Sequence, residues 1–574
     1  MRLSVAGILV VANCVAFASG DQIGAELPWV SYEAESMVTN GAIFGPNYQP
    51  HTIETESSAQ RYVELQEAGD YVEFEATIEA QGVVLRFSLP DAPEGGGLES
   101  EVELHVNGRS VRDLSLSSRN SWLYGVYPFS NDPEKGKPRN AYDEMRVKGL
   151  DIKIGDTVRI QKSISDGVPC IVDIVDLEPV PAPLPKPDGA ISVRAFGAKG
   201  DGVTDDTQAL LDCLQEARSV GASVFVPEGD FKITRDIVLT DGDRIQGSGM
   251  WHTTFVGDKD LYSQADRRVR FKLTGENCQL ADFAIVGELN YRNDQEANDG
   301  VIGSGCSDAT IERIWIEHTK VGVWVYNGRG VAIEGCRFRN LLADGTNFCV
   351  GTTDSVVDNC SARGTGDDCY AIWPAAFDQG YVDDCVVPGN NVIRRSTGQL
   401  TFLANGASVY GGANNRVENC RFVDIGTGCG ILISTTFPTS DPERGIDNNF
   451  SGTTLVEGNE LLRCGGYDHG WAWRGSFQIC MDRKRISGLA IRDMVIRDSI
   501  SEGFTIVAPG AEKGEGTLSD TSLKSVRIFN SGIRVDGAAD LFIRSDAQGD
   551  LIIRDSRIED IENLSPSFSI QKSH

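Results

Sequence analysis

LLADGTNFCVGTTDSVVDNCSARGTGDDC, residues 341–369, is the stretch that decides the fold of this chain. It places Asp344 in an Ala-Asp-Gly turn, and Asp367 and Asp368 follow 23 and 24 residues later. A separation near 24 residues is about one turn of a parallel β-helix, in which equivalent residues lie roughly 4.8 Å apart along the stack. The three carboxyl groups are therefore expected to crowd one patch of wall, which raises the pKa of at least one of them. Such a cluster suits acid–base hydrolysis of a glycosidic bond.

These aspartates also have a purely structural interpretation. Aspartate is common in turns, where its side chain accepts hydrogen bonds from the backbone, and most Asp-Gly pairs are only turns. The recurrence of carboxylates at a one-turn spacing, with glycine on each side, favours a functional site. The pair Asp205 and Asp206, by contrast, precedes an amphipathic segment and is predicted to cap a helix N-terminus.

Short apolar phrases recur on both sides of this stretch from about residue 240 onward. Turn residues separate them, and examples are CQLADFAIVG, ATIERIWIEH, VAIEGCRFRN, NRVENCRFVD, TLVEGNELLR and LIIRDSRIED. Strand-rich repeats without long helices predict a β-solenoid. The longer intervals, including 388–415 and 435–453, are predicted to be loops on one face, where they form a groove suited to a polymer.

Cysteines follow the same repeat. Cys336, Cys360, Cys385 and Cys420 recur in the phrases EGCRF, DNCSA, DDCVV and ENCRF, at separations of 24, 25 and 35 residues. The sequence has no Cys-x-x-Cys pair to support a zinc site. We expect a stack of small buried side chains at one turn instead of a metal site or a set of disulfides.

The chain divides into four parts. Residues 1–20 carry an early arginine, an apolar run and an Ala-Phe-Ala sequence, which predict a secretory signal peptide. No other segment approaches the ~18 apolar residues of a membrane span. Residues 28–180 alternate apolar and polar positions between short turns, a pattern typical of an antiparallel β-sandwich. A proline-rich linker, 181–189, separates this sandwich from the solenoid domain, 190–574.

The solenoid domain opens with ISVRAFGAKGDGVTDDTQALLDCLQEARSVGASVFVPEGDF. This order of strand, Gly-Asp-Gly turn, amphipathic helix and strand resembles the cap of many right-handed β-helix enzymes that act on polysaccharides. The predicted fold class is therefore all-β, a right-handed parallel β-helix of the pectin-lyase-like kind preceded by an antiparallel β-sandwich.

The charge of the chain limits its partners. Acidic residues outnumber basic ones by 83 to 53, which gives a formal net charge of −30. A surface this negative repels nucleic acids and polyanionic polysaccharides. We expect a secreted monomer that acts on a neutral polysaccharide and has no nucleic-acid partner.

The N-terminal sandwich resembles carbohydrate-binding modules of families 6 and 35. The resemblance is carried by the opening YEAES, the phrase GDYVEF and the closing VDIVDL. It implies a structural calcium ion, for which Glu33, Glu35 and Asp173 occupy the matching positions. Oxygen-only ligands suit calcium. The alternative is that these residues are ordinary solvated carboxylates on strands. No cofactor is expected for catalysis, and the sandwich is expected to be separable and to target the enzyme to its substrate.

Four phrases of the solenoid resemble glycoside hydrolase family 87. They are IERIWIEHTKVGVWV, ADGTNF, GTGDDCYAIWP and QLTFLANGASVYGG, at residues 311–325, 343–348, 364–374 and 399–412. The family comprises α-1,3-glucanases and related mycodextranases on a right-handed β-helix. The resemblance implies that its three essential aspartates fall on Asp344, Asp367 and Asp368. Thr346 and the residues directly after Asp368 depart from the usual pattern, which leaves the fine specificity open.

The polygalacturonases are the nearest rival, because they also place Asp and then Asp-Asp on adjacent coils. They further need a histidine on the next coil and an Arg-x-Lys pair for uronate carboxylates. This chain has no histidine between His318 and His469. Pectate lyases need a basic residue to abstract the proton. A third alternative is a secreted adhesin or tail-spike-like solenoid, which does not require three stacked aspartates.

The resemblance also predicts a mechanism. Inverting glycosidases keep their acid and base carboxyl groups roughly 6.5–9.5 Å apart, a gap that a one-coil step with a lateral offset can meet. By analogy with polygalacturonases, Asp367 is assigned as the acid, and Asp344 with Asp368 as the pair that activates water.

The predicted substrate is an α-1,3-linked glucan cleaved at internal bonds, with nigeran as the alternative. The charge favours a neutral glucan and the groove favours attack within the polymer, but only the resemblance points to the linkage. Aromatic faces stack on pyranose rings. Trp324, Tyr326, Trp373 and Tyr410, on the coils that flank the aspartates, are therefore expected to bind sugar.

Overall fold

The computed structural model describes residues 22–375, 389–441, 443, 445–468, 472–482, 484–509, 516–535 and 537–573. The predicted signal peptide and Cys385 lie outside the described residues. Among the residues that it describes, no helix has the length and apolar character needed to cross a membrane.

Two antiparallel sheets pack face to face to form the N-terminal sandwich. The first sheet has six strands, Val30–Glu33, Ala42–Phe44, Tyr62–Leu65, Ala80–Ser88, Asp143–Ile152 and Cys170–Glu178. The second has five, Val38–Thr39, Tyr71–Glu75, Glu99–Val106, Arg109–Ser117 and Thr157–Lys162. Alternating residues of a strand point to opposite faces of the sheet. Val158 and Ile160 accordingly point into the sandwich core, while their strand neighbours are less buried. Short 3-10 helices lie at Ala34–Ser36, Glu54–Glu56, Ser58–Gln60, Pro133–Lys135 and Val193–Phe196.

The solenoid begins with a cap that contains the α-helix Thr207–Val220. Its buried residues recur at helical spacing, and Leu210, Leu214 and Ala217 cover the end of the solenoid core. The capping expectation holds for Asp205, whose Oδ1 accepts a hydrogen bond from the Thr207 N–H at 3.0 Å. Asp206 instead accepts hydrogen bonds from the backbone of the preceding turn.

Parallel strands then stack through the whole domain, which confirms the predicted right-handed β-helix. One hydrogen-bonded array has 26 strands, Ile191–Ser192, Asp201–Asp205, Val224–Val226, Gly229–Lys232, Arg244–Gly247, Thr253–Val256, Gln279–Val286, Thr310–Glu317, Ala332–Glu334, Arg337–Leu341, Val356–Asp358, Ser361–Thr365, Val392–Arg394, Thr397–Gln399, Arg416–Glu418, Arg421–Val423, Thr454–Glu457, Glu460–Leu462, Ile486–Ser487, Leu489–Arg492, Val495–Arg497, Thr517–Ser519, Ser522–Lys524, Arg527–Phe529, Gln548–Arg554 and Phe568–Ser573.

The other long sheet has 12 strands, Asp236–Leu239, Arg270–Leu273, Gly300–Ser304, Val323–Tyr326, Thr346–Cys349, Tyr370–Trp373, Ala407–Val409, Ile431–Ser434, Phe477–Cys480, Phe504–Val507, Leu541–Ile543 and Ile561–Asn563. Two small hairpins project from the stack, Ser440–Asp441 with Ile446–Asp447 and Tyr467–Asp468 with Ala472–Trp473.

Consecutive coils near the centre are in register over 24 residues. Thr346 pairs with Tyr370, and Asn347 pairs with Ala371. The cysteine stack follows this register, because the backbone N–H of Cys336 lies 3.4 Å from the Sγ of Cys360 in the adjacent coil. Both thiols are buried and neither forms a disulfide. Small side chains at this turn let the coils approach closely.

The sandwich packs against one face of the solenoid through buried ion pairs. The guanidinium of Arg363 binds Glu144 at 2.5 Å and Asp176 at 2.7 Å, and Arg337 binds Glu178 at 2.6 Å. Burial raises the pKa of Glu144, but the neighbouring arginines outweigh that effect and lower it. Charges buried in this way are stable only while their partners stay in place. The two domains therefore share an interface of buried ion pairs, which weighs against the prediction of a separable sandwich.

We predict that Arg363→Met weakens this interface, because the change leaves Glu144 and Asp176 buried without their cation. The expected loss of unfolding free energy is about 3–5 kcal/mol, measured on the first transition in a denaturant titration. Arg394→Met is the matched control, since Arg394 is 42% exposed and shares Asp358 with Arg395. It is expected to cost about 1 kcal/mol or less. Equal losses in the two variants would contradict the prediction.

Candidate active site

The three aspartates lie in equivalent turns of adjacent coils. Asp344 follows the strand Arg337–Leu341, and Asp367 and Asp368 follow the strand Ser361–Thr365 one coil further on. The Gly345 N–H donates to the Asp368 carbonyl at 3.0 Å, so the two turns are held directly one above the other.

Glycine is needed where these turns stack. A Cβ atom on Gly345 would lie 2.3 Å from the Cys369 carbonyl oxygen, and one on Gly366 would lie 2.4 Å from the Leu342 carbonyl oxygen. Both contacts are far shorter than van der Waals separation. The glycines beside the aspartates thus allow the close stacking that brings the carboxyl groups together.

One carboxylate oxygen from each of Asp344, Asp367 and Asp368 lies within 4.8 Å of the others. Burial, followed by the charges of Asp367 and Asp368, raises the pKa of Asp344 well above its ordinary value. Burial and the charge of Asp367 raise the pKa of Asp368 to about 7. Burial and the crowding of like charges thus disfavour ionisation of Asp344 and Asp368. The closest oxygens are nearer to each other than the 6.5–9.5 Å gap on which the sequence-level expectation of inversion was based.

Hydrogen bonds fix the orientation of Asp368. Its Oδ1 accepts from the Asn405 side-chain amide at 2.8 Å, and its Oδ2 accepts from the Tyr410 hydroxyl at 2.9 Å. Both donors oppose the effect of burial on the Asp368 pKa. Tyr410 therefore lies at the site, as predicted, but it contacts an aspartate and its ring is buried. Asn347 donates a longer hydrogen bond, 3.4 Å, to Asp344.

Asp367 has a different partner. The Nη2 of Arg292 donates to its Oδ2 at 2.6 Å, and the side chain of Asp367 is 22% exposed. Burial lowers the pKa of Arg292, but the charges of Asp367 and Asp294 outweigh burial and raise it above its ordinary value. The site thus combines one ion-paired aspartate with two buried ones.

These groups line a cleft of about 220 Å³ that aromatic side chains flank. The ring centroids of Trp324 and Trp373 are 5.9 Å apart in an edge-on arrangement. Phe437 packs edge-on against Trp373 at 5.6 Å and against Tyr410 at 5.0 Å. Phe437 is 40% exposed, whereas both tryptophans are buried. Tyr326 is half-buried at the edge of this aromatic cluster.

Family profiles match both domains. The α-1,3-glucanase catalytic domain D1 matches residues 26–180, and domain D2 matches residues 204–488. This chain belongs to glycoside hydrolase family 87. It is a glycoside hydrolase, which confirms the resemblance found in the sequence. The sandwich of this family 87 protein is the first domain of a catalytic unit, a closer description than that of a carbohydrate-binding module.

Solved structures of the family have the same fold. The Agl-KA catalytic domain superposes with a TM-score of 0.85 at 23% identity, covering 98% of this chain and all of that one. The catalytic unit of a family 87 α-1,3-glucanase from Streptomyces thermodiastaticus gives 0.82 at 27% identity, with 96% and 97% covered. Both alignments extend across the sandwich and the solenoid.

Curated relatives match only segments of the chain. The pre-neck appendage protein of Bacillus phage phi29 is 28% identical over 188 residues, 31% of this chain and 21% of its own length. A glucan 1,3-beta-glucosidase of Cochliobolus carbonum is 42% identical over 132 residues, 23% and 16% of the two chains. The family 87 protein thus spans about a fifth of the length of the curated relatives that it matches first.

Sequence reasoning missed three residues of the site. Asn405 belongs to the quoted phrase QLTFLANGASVYGG, so its coil was identified but its contact with Asp368 was not. Phe437 lies within the predicted loop 435–453. Arg292 has no signal in the sequence, because it lies between strands in an irregular segment and reaches Asp367 across 75 residues.

The predicted calcium ligands lie at the interface between the domains. One carboxylate oxygen of Glu33 and one of Glu35 are buried and accept no hydrogen bond from the described residues. Burial and nearby carboxylates, including Asp424 of the solenoid, raise the pKa of Glu33 to about 8. Burial raises the pKa of Glu35 to about 7. Asp173 differs, because it forms an ion pair with Arg86 and accepts a hydrogen bond from Ser58.

Two glutamates with buried, unpartnered oxygens fit an oxygen-liganded cation, since a cation would satisfy both at once. The guanidinium of Arg86 already neutralises Asp173. Within this structure Glu33 and Glu35 are thus the better ligands, and Asp173 is held by an arginine.

We predict that Asp344→Asn stabilises the folded protein at neutral and alkaline pH. Because the folded-state pKa of Asp344 is raised, its favourable contribution to stability is present below the unfolded pKa of about 4. That contribution is lost as the pH rises through the folded-state pKa. The variant should therefore melt above the parent at pH 8 and close to it at pH 4, as measured by differential scanning fluorimetry.

Asp358→Asn is the control with the opposite sign. Burial raises the pKa of Asp358, but hydrogen bonds from Arg395 and Arg394 outweigh burial and lower it. Its stabilising contribution is present above the unfolded pKa and is lost as the pH falls, so this variant should melt below the parent at pH 8. A decrease for both variants would show that Asp344 is not under electrostatic strain.

Proposed function

We propose that this protein is a secreted endo-α-1,3-glucanase that inverts the anomeric configuration by means of Asp344, Asp367 and Asp368. The observation that carries the proposal is the cluster of three carboxyl groups in an open cleft on one face of the solenoid. The cleft mixes polar and aromatic side chains, the composition expected of a carbohydrate site. The predicted signal peptide supports secretion, and the net charge of −30 supports a neutral substrate.

Solved complexes of relatives support both the substrate and the site. Three variants of a family 87 α-1,3-glucanase, each with one aspartate changed to alanine, have been solved with tetrasaccharides or nigerose. The three changed positions are separated by 23 residues and then by one residue, the same separations as Asp344, Asp367 and Asp368. This match in spacing supports the assignment of the three aspartates of this chain to the reaction.

The burial of Asp344 and Asp368 supports inversion better than the spacing of the carboxyl groups does. Asp344 and Asp368 line the cleft but are almost fully buried, which favours their action through a water molecule over direct attack on an anomeric carbon. A water molecule above this pair can lose its proton to a carboxylate and attack the sugar in a single displacement. A carboxyl group on the opposite side of the glycosidic bond protonates the leaving oxygen. The product is then released with the opposite anomeric configuration.

The exposure and the partners of the aspartates bear on the identity of the acid. The analogy with polygalacturonases gives this role to Asp367, which is the most exposed of the three. In the free protein Asp367 pairs with Arg292, so proton donation by Asp367 requires this ion pair to open when glucan binds. Asp368, whose pKa is raised to about 7, is a second candidate for the acid near neutral pH.

We predict that the protein releases reducing sugar from α-1,3-glucan in a panel that also contains nigeran, dextran and polygalacturonate. Proton NMR should show the inverted anomer as the first product, and Asp368→Asn should lower kcat by at least about 1,000-fold, since removal of a reacting carboxylate costs several orders of magnitude. Activity confined to polygalacturonate would overturn the proposed substrate. First release of the retained anomer would overturn the mechanism.

The same variants identify the acid when α-glucosyl fluoride replaces glucan. Fluoride leaves without protonation, so a variant that lacks only the acid still hydrolyses it, whereas a variant that lacks the base does not. Retained fluoride hydrolysis is expected for Asp367→Asn. If Asp368→Asn were the variant that still hydrolyses the fluoride, Asp368 would be the residue that protonates the leaving oxygen.

We further propose that Phe437 is the main sugar-stacking residue, with the buried rings of Trp324, Trp373 and Tyr410 beneath it and Tyr326 at the edge of the cluster. Phe437 lines the cleft and is 40% exposed, so part of its ring is available to a pyranose. Phe437→Ala should raise KM for oligosaccharides about 5- to 20-fold, as expected from a loss of about 1–2 kcal/mol of stacking, with an unchanged melting temperature. Trp373→Ala is expected to lower the melting temperature. An unchanged KM in Phe437→Ala would contradict the stacking role.

For Glu33 and Glu35 we propose a structural calcium ion at the domain interface. An ion that binds only the folded state raises the melting temperature in proportion to its binding. Melting in EDTA, then with added CaCl₂ or MgCl₂, should show a rise with calcium that Glu33→Gln abolishes. The same melting temperature in EDTA and in CaCl₂ would contradict a calcium site.

A further inference from the structure

A loop of the sandwich reaches the active-site cleft. Residues 122–140 form a small hairpin in which Leu123 pairs with Arg139. Near its tip, Phe129 forms an antiparallel bridge with Arg292 of the solenoid, and the Phe129 carbonyl accepts the Arg292 N–H at 3.0 Å. The hairpin is thus joined through the backbone to Arg292, the residue whose side chain binds Asp367.

The tip of the hairpin is packed on several sides. The guanidinium of Arg139 lies 4.6 Å from the centre of the Phe129 ring, and the ring of Tyr127 packs edge-on against Phe129 at 6.0 Å. The Tyr127 hydroxyl accepts a hydrogen bond from the backbone N–H of Asp294. The segment that carries Arg292 and Asp294 is therefore anchored to the sandwich.

The side chain of Arg292 connects the two turns that carry the aspartates. Its Nη1 donates to the carbonyls of Gly366 at 2.7 Å and Leu342 at 3.3 Å, and its Nη2 donates to Asp367. Asp294 binds the outer edge of the guanidinium at 3.1 and 3.2 Å. A planar guanidinium can hold several acceptors in fixed directions, which a lysine ammonium cannot.

We infer that Arg292 is a positioning residue for the three aspartates and that the sandwich hairpin holds it in place. The inference rests on the proposed function, since it assigns a task to Arg292 in that reaction. The solenoid then supplies the reacting carboxyl groups, and the sandwich supplies the hairpin that holds Arg292 beside them. Family membership and the sequence phrases assign no such role to Arg292 or to the hairpin.

The charges around Arg292 set the expected change in pH dependence. Asp294, Asp344 and Asp367 face it, Asp368 lines the same cleft, and Lys320 and Arg139 are neighbouring cations. Burial and the other two aspartates raise the pKa of Asp344, and Arg292 offsets part of this rise. Loss of the guanidinium therefore raises the pKa of Asp344 further and moves the pH profile of kcat to higher pH.

The first experiment compares Arg292→Met and Arg292→Lys with the parent. Arg292→Met should lower kcat about 100-fold, a typical effect of losing a group that orients or stabilises a reacting site. KM should stay within about threefold, since the sugar-stacking residues are unchanged. Hydrogen–deuterium exchange should become faster in residues 342–344 and 366–368. Arg292→Lys keeps the positive charge but loses the planar guanidinium that binds several acceptors at once. Its kcat should therefore lie between those of the parent and the methionine variant.

The second experiment tests the link to the sandwich. Tyr127 is 42% exposed, so Tyr127→Phe removes its hydroxyl without opening a cavity. We expect faster exchange in the same two turns and a several-fold lower kcat. Tyr71→Phe is the matched control, because Tyr71 lies in the second sandwich sheet beneath Arg159. It should leave both measurements unchanged.

Separate results would overturn the inference and the proposed function. A parent protein that hydrolyses none of the glucans defeats the proposed function, whereas the exchange measurement still tests whether Arg292 orders the two turns. Unchanged exchange in Arg292→Met defeats the positioning role, even if kcat falls, since Arg292 then acts on the substrate directly. Equal behaviour of Tyr127→Phe and Tyr71→Phe defeats the role of the hairpin.

Discussion

The stacking of two consecutive coils at a 24-residue step, without an insertion, is the constraint on which the rest of this protein depends. Because Asp344 and Asp368 occupy equivalent positions of consecutive coils, the hydrogen-bond ladder that holds the solenoid together also forces their carboxyl groups together. The backbone gains regular hydrogen bonds from this register, and the side chains experience electrostatic repulsion as a result. The fold and the electrostatic strain of the site thus have a single origin.

The surroundings of the aspartates moderate that strain unequally. Asp368 accepts hydrogen bonds from Asn405 and Tyr410, and Asp367 is neutralised by Arg292. Among the described residues, the carboxyl group of Asp344 accepts a single long hydrogen bond, from Asn347. Groups with different surroundings hold their protons with different strength, which is the arrangement that acid–base catalysis requires. A cluster with less electrostatic repulsion would be more stable, but its carboxyl groups would not differ enough to act as an acid and a base.

The interface between the domains has the same character. Carboxylates of the sandwich meet arginines of the solenoid in buried pairs, among them Glu144 with Arg363 and Glu178 with Arg337. Both arginines belong to strands of the two coils that carry the aspartates. Pairs of this kind add little net stability compared with an apolar contact, but they penalise any other relative position of the two partners. They therefore favour one orientation of the sandwich, the one in which its hairpin reaches Arg292.

The sequence by itself determined the solenoid, the sandwich, the cap helix and the stacking of the three aspartates. Each of these depends on local periodicity or on a fixed spacing, which the chain carries whatever its surroundings. The tertiary structure alone decided the partners of those aspartates. Arg292 and Asp367 are 75 residues apart in irregular segments, and no period relates them. The roles of the aromatic residues could not be predicted either. The alternation of strand residues does not reveal that Tyr410 binds Asp368 or that Phe437 is exposed to the cleft. The packing of the sandwich on the solenoid was likewise hidden, since its ion pairs join residues more than 150 positions apart.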